Sequence, residues 1–358
     1  MLDDAPPEAD ALDGYSHPRL TPHVFGQDHA KTSLLTSWQS GRMHHGLLLT
    51  GPKGIGKATF AWQAARMILS DATAWETNPE DPLNRRISAL SEQRIALIRR
   101  QWDDKAKRHK TQISVDNMRG LRDFFSFAAT DGGWRVAIID AADEMNIAAS
   151  NALLKVLEEP PRKTVILLVA HQPSRLLPTI RSRCMTLPLS PLSAPDMEAA
   201  LRQQGVMIDP SLGSLTDLAN GSVGQALRLM EAGGPDIYAG LITAFTAAPA
   251  NREAILKLAE ACVGATNAMR YEMTIDLFAI FLARLARQGA APQAALQELA
   301  PGEARVLNRL APNPYKARHW AELAITLPAK ARAGRAVNLD PSSVILDMAL
   351  EIDKAAGQ

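Results

Sequence analysis

The chain has 358 residues, 39 Lys and Arg against 38 Asp and Glu, and a formal net charge of +1. That length carries two or three domains with a sizeable core, and the balanced charge excludes a globally basic nucleic-acid coat and an acidic disordered tail while leaving room for a local basic patch. Two cysteines, Cys184 and Cys262, exclude a disulfide framework and a four-cysteine zinc site; with an acidic, Pro-rich start and no apolar run of about 18 residues, the expectation is a cytoplasmic chain without a membrane partner.

Residues 1–22 carry Pro6, Pro7, Pro18 and Pro22 and read as an N-terminal arm, flexible or wrapped on the surface. Apolar residues at helical spacing (Ala30, Leu34, Leu35, Trp38) predict a helix over 26–39. The run Gly46-Leu-Leu-Leu-Thr50 predicts a buried strand, and residues 58–69 a helix. Residues 71–112 are polar and variable. Their run Lys105-Ala-Lys-Arg-His-Lys110 reads as a solvated loop or helix end, or as a contact with nucleic-acid phosphates. A short β-like piece over 113–115, a helix over 118–128, a buried strand over 134–140, a helix over 147–157 and a third buried strand over 164–170 follow. Met185-Thr-Leu-Pro-Leu189 is edge-like because of Pro188.

Apolar strands alternating with helices predict an α/β domain with a parallel sheet and helices on both faces, over residues 23–190. Short helices over 195–205, 214–220 and 222–232 predict a small helical lid domain, 191–237. The Ala- and Leu-rich remainder, 238–358, predicts an all-α domain. Its strongest segment, 269–288, places Met273, Leu277, Ile280, Phe281 and Leu285 on one face.

Gly51-Pro-Lys-Gly-Ile-Gly56-Lys57 fits the phosphate-loop pattern, after a predicted strand and before a predicted helix. Gly51, Gly54 and Gly56 let backbone N–H groups converge on phosphates, the helix start adds a favourable dipole, and Lys57 reaches the β and γ phosphates. The hydroxyl that should follow the lysine and hold Mg²⁺ is absent, since Ala58 stands there. Thr59 is turned away by roughly 100° on a helix. The second strand ends at Asp140, the natural Walker B acid, but Ala141 replaces the Glu that would polarise water. ATP binding without turnover and an empty phosphate loop both stay open, with ATP weak or absent as a ligand.

Three stretches, Arg42-Met-His-His-Gly-Leu-Leu-Leu-Thr-Gly51, Asn151-Ala-Leu-Leu-Lys-Val-Leu-Glu-Glu-Pro-Pro161 and Ile180-Arg-Ser-Arg-Cys184, resemble bacterial clamp-loader subunits of the AAA+ class. The resemblance covers about residues 20–235 and is greatest to the non-hydrolysing member. It implies an AAA+ P-loop domain, a lid and a C-terminal collar that joins subunits into a ring. It implies gamma/tau and delta subunits, the sliding clamp and primer–template DNA as partners, within a DNA polymerase holoenzyme. It gives Ser182-Arg183-Cys184 the role of presenting Arg183, in trans, as an arginine finger to a neighbour's ATP; Arg suits that role because its planar fork stays charged and grips phosphate oxygens. The motor subunit also carries zinc-binding cysteines after the P-loop helix; residues 71–112 have none, so no zinc or other metal is expected. Family sensors would lie at His171 or Gln172 and at Gly224, where active members carry an Arg. Two rivals remain: an active AAA+ ATPase motor, opposed by Ala58, Ala141 and Gly224, and a stand-alone DNA-binding module built on the 105–110 run.

Overall fold

The computed structural model describes residues 8–76, 78–126, 132–207, 212–293 and 296–357. Residues 1–7 of the arm and the last two residues of the helix expected over 118–128 lie outside them. Helix α1 (Asp28–Gln39), strand β1 (Gly46–Thr50) and helix α2 (Lys57–Leu69) fall where periodicity puts them. Then come α3 (Pro82–Ser88), β2 (Ile95–Arg99), and a two-stranded hairpin of β3 (Trp102–Asp103) and β4 (Arg108–His109). Helix α4 (Val115–Ser126), β5 (Arg135–Asp140), α5 (Ile147–Glu158), β6 (Thr164–Ala170), the short α6 (Pro178–Arg181), β7 (Met185–Pro188) and α7 (Ala194–Gln203) follow.

The main sheet is parallel, in the order β2-β5-β6-β1-β7. Every residue of β5 and β6 is buried, because both faces are covered, so these strands read as continuous apolar runs. Alternate residues serve opposite faces. Leu47, Leu49, Ile138, Leu167 and Val169 pack with Phe60, Ala64 and Ile68 of α2. Leu48, Ile139, Ile166 and Leu168 pack with Leu121 of α4 and Leu153 of α5. Pro188 lies on the edge strand, the place where its missing N–H is tolerated.

Two segments differ from expectation. The polar stretch 71–112 contains an edge strand of the main sheet, β2, paired with β5. Its five residues, Ile-Ala-Leu-Ile-Arg, sit between Arg94 and Arg100 and lack the length that marks β6. The β-like piece at 113–115 is reduced to one bridge, Ile113 with Met145, and Val115 already belongs to α4.

The chain divides into two compact units. One comprises Met1–Ile208 with Gly221–Gly224, the other Asp209–Asn220 with Gln225–Gln358. The second is helical: α8 (Leu212–Leu218), α9 (Val223–Ala232, its first two residues belonging to the first unit), α10 (Gly234–Ala244), α11 (Arg252–Glu260), α12 (Ala268–Ala290), α13 (Glu303–Leu310), α14 (Pro314–Ala336) and α15 (Pro341–Gly357). Here α12 and α14 approach closely: a Cβ on Gly289 would meet Ala317 Cβ and Asn313 O at 2.9 Å. No described helix is long and apolar enough to cross a membrane.

Candidate nucleotide site and arginine finger

Register brings several sequence-predicted residues to one edge of the sheet. Thr50 pairs with Ala170, Asp140 with Val169 and Arg99 with Asp140. The phosphate loop, the Walker B position, His171 and the start of the hairpin therefore all leave the carboxyl ends of parallel strands, where ligands bind in open α/β sheets.

The loop has the backbone its glycines permit. Gly51, Gly54 and Gly56 have φ of 141°, 79° and 101°. A Cβ on Gly51 would meet Leu189 O at 2.6 Å, so no other residue fits there. Ala58 and Thr59 begin α2 directly after Lys57. Lys57 is buried, and its Nζ donates to Gly51 O at 2.6 Å and Pro52 O at 2.7 Å. Burial pulls its pKa down to about 8, against the pull of Asp140 and Asp143. The cradle and Lys57 fit phosphate recognition.

The acids nearby do not fit metal-dependent hydrolysis. Asp140 is buried, and burial first, then the charge of Asp10, pushes it up to about 7; it is a weak anion at neutral pH. Asp143 accepts from the backbone N–H groups of His171 and Gln172, both at 3.0 Å. It thereby fixes the loop after β6 and is spent there. Glu144 is paired with Arg100 at 2.8 Å. Neither Asp143 nor Glu144 replaces the Glu missing at Ala141.

Segment 221–224 is tied to the same loop. Gly224 N donates to Gly54 O at 2.9 Å, and Ser222 Oγ donates to Lys53 O at 2.9 Å. A Cβ on Gly224 would meet Gly54 Cα at 2.8 Å. Glycine at 224 is thus a packing requirement, which an Arg on this backbone would violate.

Arg183 lies elsewhere. It precedes β7, whose Met185 pairs with Leu47 at the start of β1; its carbonyl would stand 3.3 Å from a Cβ on Gly46. The five residues of β1, roughly 15 Å of strand, separate it from the phosphate loop. The half-exposed guanidinium pairs with Glu158 at the end of α5 (2.9 Å) and donates to Thr179 O (3.1 Å). Ser182 is exposed, its Oγ donating to Thr179 O at 3.1 Å. Cys184 packs against Leu157 and its neighbours, and burial pushes its thiol up to about 12, which leaves it un-ionised and unreactive.

Sequence reasoning missed the arm's chemistry. Glu8 and Asp10 meet His17, Arg19 and Arg99 in one cluster, with His17 Nε2 2.8 Å from Glu8 and 3.2 Å from Asp10. Arg66 donates to Arg19 O. The acids and prolines carry no periodicity, so only their alternation with His17 and Arg19 hints at this cluster. Glu158 and Thr179 as partners of Arg183 were equally unforeseen.

Residues 26–193, just under half of the chain, match the family model described as DNA polymerase III, delta subunit. The chain is 38% identical over 189 residues to DNA polymerase III subunit delta' of Pseudomonas aeruginosa, covering 52% of this chain and 55% of that one. It is 32% identical over 196 residues to the delta' subunit of Bacillus subtilis, covering 55% and 56%. It is 33% identical over 202 residues to DNA polymerase III subunit gamma/tau of Mycobacterium tuberculosis strain H37Rv, covering 55% and 34%. The chain thus spans between a third and rather more than half of the curated relatives it matches. Over this segment, the chain is similar to DNA polymerase III delta' subunits.

Proposed function

We propose that this chain is the non-hydrolysing scaffold subunit of a clamp loader and supplies Arg183 in trans to a neighbouring ATPase subunit. The observation that carries the reading is the position of Arg183. It stands at the amino edge of the sheet, across the length of β1 from Lys57, so it cannot serve its own phosphate loop. Its ion pair with Glu158 is half exposed, and such a pair is worth at most about 1 kcal/mol. A neighbour's triphosphate, with more charge and bidentate geometry, outcompetes it. Ala58, Ala141 and the spent Asp143 and Glu144 support a silent site of its own. In this reading gamma/tau-type and delta-type subunits are ring neighbours, and the assembled ring acts on the sliding clamp and primed DNA.

The test is Arg183→Ala in a ring reconstituted with ATPase subunits. Assembly is expected to be unchanged. The site that Arg183 serves loses roughly 10³-fold or more in rate, and DNA-stimulated turnover of the whole ring falls by the share of that site. Unchanged turnover overturns the assignment. Beside it, the isolated chain is expected to show no ATP turnover that depends on Lys57; turnover abolished by Lys57→Ala makes the chain a motor instead.

A further inference from the structure

The β3–β4 hairpin carries charge that the nucleotide site does not use. β2 runs into it through Arg99 and Arg100. Both are already neutralised, Arg99 by Glu8 and Asp10 and Arg100 by Glu144. Beyond them the hairpin brings Lys105, Lys107, Arg108 and Lys110 to one exposed tip. None of these four forms a salt bridge among the described residues. Two acids share the tip, Asp103 and Asp104. Asp103 accepts from the N–H groups of Lys105 and Ala106, both at 3.0 Å, so one of its oxygens is spent closing the turn. The tip keeps a positive excess.

At the hairpin's base the rings of Trp102 and His109 meet edge to face, 5.0 Å apart at 75°. With Arg99, Arg100 and Gln101 they line an open cleft of about 570 Å³. His109 Nδ1 is buried there with no hydrogen-bond partner among the described residues. Clustered cations beside a half-buried indole are what a single nucleic-acid strand requires: charges that track phosphates, and a flat ring for an unstacked base.

We infer that the β3–β4 hairpin is a contact for single-stranded DNA, with Lys105, Lys107, Arg108 and Lys110 on phosphates and Trp102 against a base. This goes beyond the arginine-finger reading and stands or falls apart from it, because the two lie at opposite edges of the sheet.

The experiment uses the full chain, a fluorescein-labelled oligothymidylate and a salt titration followed by anisotropy. Binding is expected to weaken linearly in log–log terms as salt rises. Combined Lys105→Ala, Lys107→Ala, Arg108→Ala and Lys110→Ala is expected to reduce the slope by roughly 2–3 units. Trp102→Leu is expected to weaken binding roughly tenfold with the slope unchanged. All four cations are exposed, so the melting temperature of the combined variant should match that of the parent. Arg183→Ala is expected to bind DNA like the parent, which keeps this result separate from the ring assay. No salt-sensitive binding by the parent, or an equal slope in the combined variant, overturns the inference. So does binding of polyglutamate but not DNA, since that would make the tip a docking site for an acidic protein.

Discussion

Glu303 has no exposed surface, and four hydrogen bonds converge on its carboxylate. Tyr238 Oη donates at 2.6 Å, Arg284 Nε at 2.6 Å, Arg284 Nη2 at 3.2 Å and Leu299 N at 2.6 Å. Burial, and then the carboxylate beside it, holds the Tyr238 phenol well above its usual range. Removing one partner of such a pair strands the others out of water. Glu303→Ala is therefore expected to destabilise the helical unit by about 3–5 kcal/mol, read as a lower denaturant midpoint; a loss under about 1 kcal/mol would show that the carboxylate is dispensable. Asp140 gives a pH signature. Its folded pKa, about 7, lies above the ordinary 3.8, so between these values the native state holds more protons than the unfolded chain. Stability from this group falls as pH climbs through that window and is flat above it. The gain in melting temperature from Asp140→Asn should grow between about pH 4 and 7. A gain that does not change with pH refutes the shift.

Helix α5 shows how an element places a side chain. Its start is capped by Asn146, whose side chain accepts from Ala149 N at 2.8 Å. Its inner face, Ala149, Leu153, Val156 and Leu157, locks onto the sheet. Its far end presents Glu158 to Arg183. Asn146→Ala should cost about 1 kcal/mol, measured as a shift in denaturant midpoint with the m-value unchanged; no shift would mean that water caps the helix equally well. Helices such as α1, α2, α5 and α12 were legible because apolar residues recur along one face. Strands β1 and β6 were legible as unbroken apolar runs. Strand β2 was not, because an edge strand with one partner needs fewer apolar residues and looks like its polar surroundings. The hairpin was invisible for a related reason: two-residue strands have no period to detect.

Each of the two compact units buries tryptophan of its own. Trp62 and Trp75 are buried in the first unit, whereas Trp320 is the second unit's single tryptophan, fully buried with Nε1 donating to Leu310 O at 2.9 Å. Unfolding is expected to show two transitions in single-tryptophan variants. Glu303→Ala should move the one reported by Trp320 and Asn146→Ala the one reported by Trp62. Movement of both by either variant would show one cooperative unit.

The sequence by itself determined the α/β unit, the phosphate loop and the helices that alternate with the buried strands, because these depend on local period and on glycine spacing. It also puts Ala58 directly after Lys57 and Ala141 directly after Asp140. Tertiary structure alone decided the rest. Strand register placed Arg183 and Lys57 at opposite edges of the sheet; the fold of the segment around Gly224 pressed it against Gly54; and long-range pairing spent Asp143 on the loop after β6 and drew Glu8 and Asp10 to Arg99. Such contacts join residues tens of positions apart, and no local pattern encodes which charge will meet which.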